Sequence, residues 1–231
     1  MGDVRCVRGR AVLGLDRAAV LELIEPYRQV VIDVGTGDGL FAYAHAAAHP
    51  ERFVVGLDAT PENLRRRSQR AARRPGRGGL ANLLFVWASV RWPPSELDGI
   101  GDELFVILPW GDLLTGLLEA EPEVLDGLVR MARDGAVLTM VCNAQVWEEP
   151  VPKELRGFTP LTVERVHDEL AGRYARHGLS LISASLLSKE EIAALRSTWA
   201  RRLAHGRVPR FVQARWRVGR PASAHSAGAD P

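Results

Sequence analysis

The segment from Val30 to Gly39 constrains the fold of this chain more than any other. It opens with apolar, mostly β-branched residues, which are typical of a buried strand in a parallel sheet. Glycines then occupy alternate positions and predict a tight turn in which the backbone approaches a ligand. The run from Leu40 to Ala48 favours a helix. The sequence therefore predicts a strand, a glycine loop and a helix, the unit at which open α/β sheets bind nucleotide-like ligands.

The spacing of the glycines separates the candidate ligands. A dinucleotide fingerprint reads Gly-x-Gly-x-x-Gly, and a phosphate loop ends in Gly-Lys followed by Ser or Thr. Here Asp33 precedes Gly35, Gly37 and Gly39 in the pattern Asp-x-Gly-x-Gly-x-Gly. This pattern resembles the first motif of the class I methyltransferases, which bind S-adenosylmethionine (SAM). The methionine end of that ligand carries an ammonium group, which a carboxylate near the loop can hold.

A second predicted strand runs from Phe53 to Asp58 and also ends in an acid. A carboxylate at this point of an α/β sheet can accept both hydroxyl groups of a ribose. The alternative is that Asp33 and Asp58 are loop carboxylates that only cap helices. The loop and the second acid together favour a SAM site.

Composition and cysteine content indicate one ordinary globular domain. A chain of 231 residues suits a single α/β domain, expected at 1–218, and the small, polar segment 219–231 is predicted to be disordered. Only Cys6 and Cys142 occur, which argues against a disulfide framework. No apolar run reaches membrane-span length, and the N-terminus is too rich in arginine for a signal peptide. We expect a cytoplasmic monomer that binds neither a metal nor a membrane.

The charges are segregated along the chain although the net charge is only +2. Seven arginines lie between Arg65 and Arg77, and eight lie between Arg196 and Arg220, with no acid in either cluster. The segment from Glu96 to Asp126 holds nine acids and no base. Each run alone is compatible with a solvated helix face. Two acid-free clusters in one chain favour a positive surface that binds nucleic acid.

The remaining apolar segments predict an α/β class I methyltransferase, Rossmann-like fold. Its sheet is expected to be seven-stranded and mostly parallel, with helices on both faces and an N-terminal β-hairpin in Val4–Leu15. Beyond the two strands above, strands are predicted at Asn82–Ala88, Leu104–Leu108, Ala136–Asn143, Leu179–Leu187 and Phe211–Val218. Ser188 begins a capping box and a long helix that should reach about His205.

Two tryptophans suggest a substrate. Trp110 follows a predicted strand at the ligand edge of the sheet, and Trp199 lies inside the second arginine cluster. An enzyme that modifies the edge of a base must take the base out of its stack, and two aromatic faces can replace the lost stacking. The alternative is that each tryptophan anchors a helix or loop to the core.

Four motifs together resemble one family. They are Ile32-Asp-Val-Gly-Thr-Gly-Asp-Gly39, Pro75-Gly-Arg-Gly-Gly-Leu80, Leu108-Pro-Trp-Gly111 and Trp199-Ala-Arg-Arg-Leu203. This set is similar to that of the aminoglycoside-resistance 16S rRNA (adenine-1408-N1)-methyltransferases of the kanamycin–apramycin resistance type. The resemblance covers nearly the whole chain, and the Pro-Trp-Gly and Trp-x-Arg-Arg-Leu pair carries its specificity.

The resemblance implies a role for each of three groups of residues. The cofactor group would be Asp33, Gly35, Gly37 and Asp58, with Val90, Arg91 and Leu108 closing over SAM. The base group would be Trp110 and Trp199, which sandwich a flipped adenine, with Ser197 nearby. The RNA group would be Arg70, Arg73, Arg74, Arg77, Arg202, Arg207 and Arg210, which bind rRNA phosphates. The implied reaction is methylation of adenine N1 at the decoding site of the 30S subunit, which gives aminoglycoside resistance.

The chain departs from the family pattern at three places. Val90-Arg91 replaces a common alanine-glutamate pair, and Asp112 stands where a small hydroxyl residue is usual. Pro209 interrupts the Arg-x-Arg that follows the second tryptophan. Two alternatives therefore stay open: a methyltransferase for another RNA site or for a small molecule on the same fold, and a non-catalytic RNA-binding homologue.

Overall fold

The computed structural model describes residues 4–147, 151–195 and 210–219. These residues form a single mixed sheet with helices packed on both of its faces. The strands are β1 (Val4–Arg8), β2 (Ala11–Leu15), β3 (Gln29–Val34), β4 (Arg52–Asp58), β5 (Leu83–Trp87), β6 (Gly101–Ile107), β7 (Ala132–Asn143), β8 (Leu179–Leu186) and β9 (Phe211–Val218). The α-helices are α1 (Arg17–Ile24), α2 (Leu40–Ala48), α3 (Pro61–Ala71), α4 (Gly111–Leu118), α5 (Pro122–Met131), α6 (Val163–Arg165), α7 (Ala171–Ala175) and α8 (Lys189–Ala194).

The strand order in the sheet is β2-β1-β5-β4-β3-β6-β7-β9-β8. Strands β3 to β7 run parallel to their neighbours among themselves, and β9 inserts antiparallel between β7 and β8. The predicted count of seven strands is not confirmed, because the sheet that the described residues form has nine. The hairpin joins it through an antiparallel pair between Cys6 and Val86, since β1 satisfies backbone groups that β5 would otherwise leave open at the sheet edge.

Strand β3 lies at the centre of the sheet because both of its faces are apolar. Val30, Ile32 and Val34 point into the larger hydrophobic core, and Val31 points into a smaller core on the other face. The smaller core includes Ala42 of α2 and Leu64 of α3, together with their neighbours. A strand covered on both sides reads as a continuous apolar run, which is what the sequence shows.

The chain after β7 packs against the far edge of the sheet. A π-helical turn, Val166–Leu170, joins α6 to α7, and Tyr174 of α7 stacks on the fully buried Trp216 of β9. The capping box at Ser188 is present and opens α8. The predicted continuation of this helix towards His205 lies outside the described residues. None of the helices that the structure describes is long and apolar enough to cross a membrane.

Candidate functional site

The candidate site lies at the carboxyl ends of the parallel strands, where the strand order reverses. Strand β3 pairs with β4 on one side and with β6 on the other, and Asp33 has Gly56 and Phe105 as its neighbours in those two strands. The chain leaves β3 towards β4 and later returns on the opposite side as β6. The crevice between such diverging connections is where open α/β sheets bind their ligands.

The glycine loop after β3 is built from left-handed residues. Gly35, Gly37 and Gly39 have φ angles of 69°, 57° and 73°. The N–H groups of Gly35 and Thr36 donate to the carbonyl of Leu57 over 2.8 and 3.0 Å, which holds the loop against β4. A Cβ at Gly37 would meet no atom within 4 Å, so this part of the loop faces open space. Only glycine combines this backbone with close access for a ligand.

Asp33 is a buried carboxylate at the base of the loop. It is 2% exposed, and the hydroxyl of Thr36 donates to it. Burial, as the main cause, raises the pKa of this carboxyl to about 7. No ion pair within the described ranges includes Asp33. A buried acid without a cationic partner is suited to bind the ammonium group of SAM, so this residue fits the cofactor.

Asp58 ties the end of β4 to the glycine loop. One carboxylate oxygen accepts the N–H of Gly37 over 2.8 Å, and the other accepts the N–H of Thr60 over 2.8 Å and the Asn63 amide over 3.4 Å. Burial is the main cause of a raised pKa at Asp58. The lone pairs that remain can accept ribose hydroxyl groups, so this carboxylate also fits the cofactor.

Asp58→Ala should weaken SAM binding by about tenfold or more, because the change removes acceptors for the ligand and for the loop. Calorimetric titration of the purified protein with SAM measures this loss. Asn63→Ala is the matched control, since it removes only the longest of the three hydrogen bonds to Asp58. Equal affinities of the Asp58→Ala variant and the unchanged protein would contradict the assignment.

The chain leaves β6 through a strained residue that positions Trp110. Leu108 has a φ of 52°, which is rare for a residue with a side chain, and its N–H donates to the carbonyl of Val141 over 2.7 Å. Gly111 follows with a φ of 57°. Trp110 stands between these two residues as the N-cap of α4 and is 54% exposed. Strained backbone of this kind is found mainly at ligand sites.

The loop after β5 is fixed by close contact with α5. A Cβ at Gly127 would lie 1.7 Å from the carbonyl oxygen of Val90, so the Val90 backbone packs directly on this helix. Val90 itself is buried. The guanidinium group of Arg91 pairs with Glu121 at the start of α5. The loop thus stands at the carboxyl end of β5, with the charge of Arg91 balanced by an acid.

Four of the predicted RNA-binding arginines lie together at the end of α3. Arg70, Arg73, Arg74 and Arg77 are all exposed, and none of the ion pairs among the described residues involves them. The Arg70 guanidinium lies 4.8 Å from the ring centre of Tyr43, whose hydroxyl donates to the Gly78 carbonyl over 2.6 Å. The loop that carries these arginines is therefore held in place by α2. We call these four residues the α3 arginine surface.

Of the other predicted site residues, the structure describes only Arg210. Ser197, Trp199, Arg202 and Arg207 lie outside the described residues. Arg210 precedes β9 and is exposed; it lines a cavity of about 340 Å³ with Trp147, Leu186 and their neighbours. No group of three or more His, Cys, Asp or Glu side chains that could hold a metal ion occurs in residues 4–147, 151–195 and 210–219.

Three site residues had no signal strong enough to predict them. Thr36 donates to Asp33, and Leu113 of α4 covers the glycine loop, since a Cβ at Gly35 would lie 2.5 Å from its Cδ2. Tyr43 supports the α3 arginine surface from 35 residues before its partner Gly78. The hydroxyl of Thr36, inside the glycine motif, was the one visible hint, because a Thr in such a turn often bonds nearby polar groups.

The switch point holds two buried acids and an open glycine loop, and it lacks the Gly-x-Gly-x-x-Gly pattern of a dinucleotide site and the Gly-Lys-Ser/Thr ending of a phosphate loop. This fold and this site together define the class of α/β methyltransferases that use SAM. Comparison with known families gives the particular group. The NpmA family model, described as 16S rRNA (adenine(1408)-N(1))-methyltransferase, matches residues 5–218. The chain belongs to this family.

Individual relatives agree with this result. The 16S rRNA (adenine(1408)-N(1))-methyltransferase of Streptoalloteichus hindustanus is 43% identical over 201 residues, which is 87% of this chain and 92% of the relative. A structure of the enzyme of that name from Catenulisporales acidiphilia, a tryptophan-to-alanine mutant with the cosubstrate SAM, has a TM-score of 0.89 at 33% identity and covers 99% of both chains. The aminoglycoside resistance methyltransferase NpmB1 has a TM-score of 0.78 at 32% identity, with 93% of this chain and 99% of the other covered.

Proposed function

We propose that this chain transfers the methyl group of SAM to N1 of adenine 1408 in 16S rRNA, within the 30S subunit, and so gives resistance to aminoglycosides. The single observation that carries the proposal is the position of Trp110. This large aromatic ring is half exposed at the switch point, just after β6, the strand that pairs with β3 beside the buried Asp33. An exposed ring at this place has a clear use in holding a base next to the methyl donor.

The reaction needs little from the side chains beyond position. Bound SAM supplies an activated methyl group on its sulfonium. Adenine N1 carries a lone pair that is not protonated at neutral pH, so no general base is required to accept the methyl. Catalysis then depends on holding the base in line with the donor. We assign Trp110, and Trp199 from the part of the chain not described, to the two faces of the base, with Ser197 nearby.

The cofactor residues act as a fixed cradle. Asp33 would accept hydrogen bonds from the ammonium group of SAM, and Asp58 from its ribose hydroxyl groups. Gly35 and Gly37 keep the loop backbone close to the ligand, with Leu113 of α4 packed over Gly35. Leu108, Val90 and the backbone of Arg91 close the sides at the ends of β6 and β5. The hydrogen bonds of the loop to Leu57 and Asp58 support this assignment because they form one connected unit.

The departures from the family pattern are compatible with this role. Arg91 places no unbalanced charge beside the ligand, because it pairs with Glu121. Asp112 lies in the first turn of α4 and is exposed, where an acid is favoured by the helix dipole. Neither residue removes an acceptor that Asp33 or Asp58 provides.

Arg73→Glu/Arg74→Glu should abolish binding to the 30S subunit and leave SAM binding unchanged. Both side chains belong to the α3 arginine surface, and a reversed charge repels the phosphates that we assign to it. Sedimentation with purified subunits and calorimetry with SAM measure the two effects. The single change Arg74→Glu is compared with Arg176→Glu, which makes the same charge change on an exposed residue before β8, at the opposite edge of the sheet. Equal binding by these two single variants would contradict the assignment.

The direct test of the function is methyl transfer from SAM to purified 30S subunits, followed by primer extension across the decoding site. We expect a block at adenine 1408 that needs both SAM and the protein. A block at another nucleotide would overturn the assigned target, and an absence of transfer would overturn the reaction. We further propose that 1–218 acts as one domain, as a monomer, in the cytoplasm, where assembled subunits are found; the single sheet supports the one-domain part.

A further inference from the structure

A second basic surface adjoins the α3 arginine surface and lies between the hairpin and the outer side of α3. It is an open cleft of about 720 Å³ lined by Arg8, Gly9, Arg10, Arg65, Arg66 and Gln69. We call it the hairpin cleft. Four of its six lining residues are arginines, and they come from two segments about sixty residues apart in sequence. Nothing in the sequence alone predicted that Arg8 and Arg10 lie next to the first arginine cluster.

The hairpin turn is fastened to α3 by a specific contact. The N–H of Gly9 donates to the Oγ of Ser68 over 2.9 Å, and Ser68 is only 3% exposed. Gly9 has a φ of 63° and stands first in a two-residue turn, since Arg8 pairs with Ala11. A Cβ at Gly9 would lie 3.5 Å from the Cβ of Gln69. Arg8 and Arg10 therefore project from a rigid support beside α3.

The charge in the hairpin cleft has little compensation from the protein. The ion pairs of the described segments include Arg65, which binds Glu62 one turn earlier on α3 over 2.7 Å, but they do not include Arg8, Arg10 or Arg66. Both Arg65 and Glu62 are half exposed, so this pair is screened by water. Like charges that line one cleft repel one another. A bound polyanion would remove that repulsion.

The cleft is continuous with the α3 arginine surface. Arg66 and Arg70 are four residues apart on α3 and therefore lie on the same side of the helix. Arg67, between them, is turned inward instead and pairs with Asp38 of the glycine loop over 3.5 Å. One helix thus braces the cofactor loop with one arginine and presents the others outward, from the hairpin to the loop at Pro75–Arg77.

We propose that the hairpin cleft binds a backbone phosphate of the rRNA and extends the RNA-binding surface to the edge of the sheet formed by β1 and β2. This proposal rests on the proposed function. One guanidinium group can donate two parallel hydrogen bonds to two oxygens of a phosphate. The cleft offers guanidinium groups from both of its walls. The support from Ser68 fixes their separation in advance of binding.

The test uses Arg10→Glu on the hairpin wall and Arg66→Glu on the helix wall, each in the full chain, with Arg176→Glu as the matched control. Binding to purified 30S subunits is measured over a range of salt concentrations. Each cleft variant should bind about tenfold more weakly at low salt. The slope of log affinity against log salt should fall by about one for each phosphate that the variant no longer binds. Calorimetry with SAM and the melting temperature should match those of the control.

The possible outcomes distinguish failure of the cleft proposal from failure of the proposed function. Normal subunit binding and salt slope in both cleft variants, beside a wild-type chain that methylates adenine 1408, would overturn the cleft alone. A wild-type chain that binds subunits without methylating them would overturn the function and leave the cleft measurable; a wild-type chain that does not bind subunits would overturn both. Titration with inorganic phosphate tests the remaining alternative, namely that the cleft binds a free phosphate ion and not a phosphate of the rRNA. Heat from phosphate that Arg66→Glu abolishes, with subunit affinity unchanged, would indicate a site for a free anion and overturn the rRNA assignment.

Discussion

Asp33→Asn is expected to yield a protein that binds SAM at least tenfold more weakly and yet unfolds at a higher temperature than the unchanged chain. The change removes the only charge of this buried side chain and keeps its shape. The affinity for SAM should fall at least tenfold, because the ammonium group loses a charged acceptor. Calorimetry with SAM and thermal unfolding without it measure the two effects on one preparation.

The expected gain in stability depends on pH in a defined direction. Burial raises the pKa of Asp33 from its ordinary value of 3.8 to about 7 in the folded protein. The stability contributed by the neutral carboxyl is therefore complete below 3.8 and is lost as the pH rises through about 7. Asp33→Asn stays neutral, so its advantage should grow across this window and reach roughly 4 kcal/mol above it. SAM binding to the unchanged protein should weaken as the pH falls below about 7, since the acid must then lose a proton first.

Asp168→Asn is the matched control for this prediction. The same chemical change is made on an exposed side chain of the π-helical turn Val166–Leu170, which is not part of the glycine loop. Surface substitutions of this kind change the free energy of unfolding by about 0.5 kcal/mol or less, so stability and SAM affinity should change little. If Asp33→Asn were no more stable than Asp168→Asn at about pH 8, the carboxylate of Asp33 would not be destabilised by burial.

Trp110→Ala should remove most of the methyl transfer without weakening the fold. Stacking of a base on an aromatic ring contributes roughly 1–3 kcal/mol, so the rate at low substrate should fall about five- to 150-fold. The ring is 54% exposed, and little packing depends on it. Trp110→Phe keeps an aromatic face and should retain much of the activity. Methyl transfer, subunit binding and thermal unfolding are measured for each variant.

Trp87→Ala is the comparison variant, because it removes a tryptophan with a structural role. Trp87 donates its indole N–H to the carbonyl of Ala59 over 3.0 Å, and the Arg5 guanidinium lies 3.9 Å from its ring centre. Its removal should lower the melting temperature and reduce activity in proportion. A Trp110→Ala/Trp199→Ala protein that is folded, binds subunits and methylates normally would contradict the base-stacking role.

Local sequence predicted the parts of the site that one segment forms alone. The apolar run at β3, the alternate glycines and the acid that ends β4 each lie within a few neighbouring residues, and all are present as strand and loop. The capping box at Ser188 is local in the same way and is also confirmed.

Contacts between distant segments could not be predicted in this way. The pairing of Cys6 with Val86 decides whether the hairpin is separate or part of the sheet, yet either strand alone carries no signal for it. The ion pair of Arg91 with Glu121 and the packing of Val90 on Gly127 depend on how α5 approaches the loop after β5. Such contacts follow from the packing of whole elements, so spacing within one motif does not reveal them.

The hydrogen-bonded sheet of the described residues keeps the hairpin and the proposed adenine site at Trp110 at a constant separation. Four strand spacings lie between β1 and β6, so these two strands are on the order of 20 Å apart across the sheet. A sheet of this kind does not stretch, so a phosphate held beside the hairpin and an adenine held at Trp110 must present one fixed separation in the folded rRNA. Adenines without such a partner would gain only one of the two contacts. Target choice would then depend on distances within the assembled subunit rather than on neighbouring bases, and short unfolded rRNA fragments should be poor substrates.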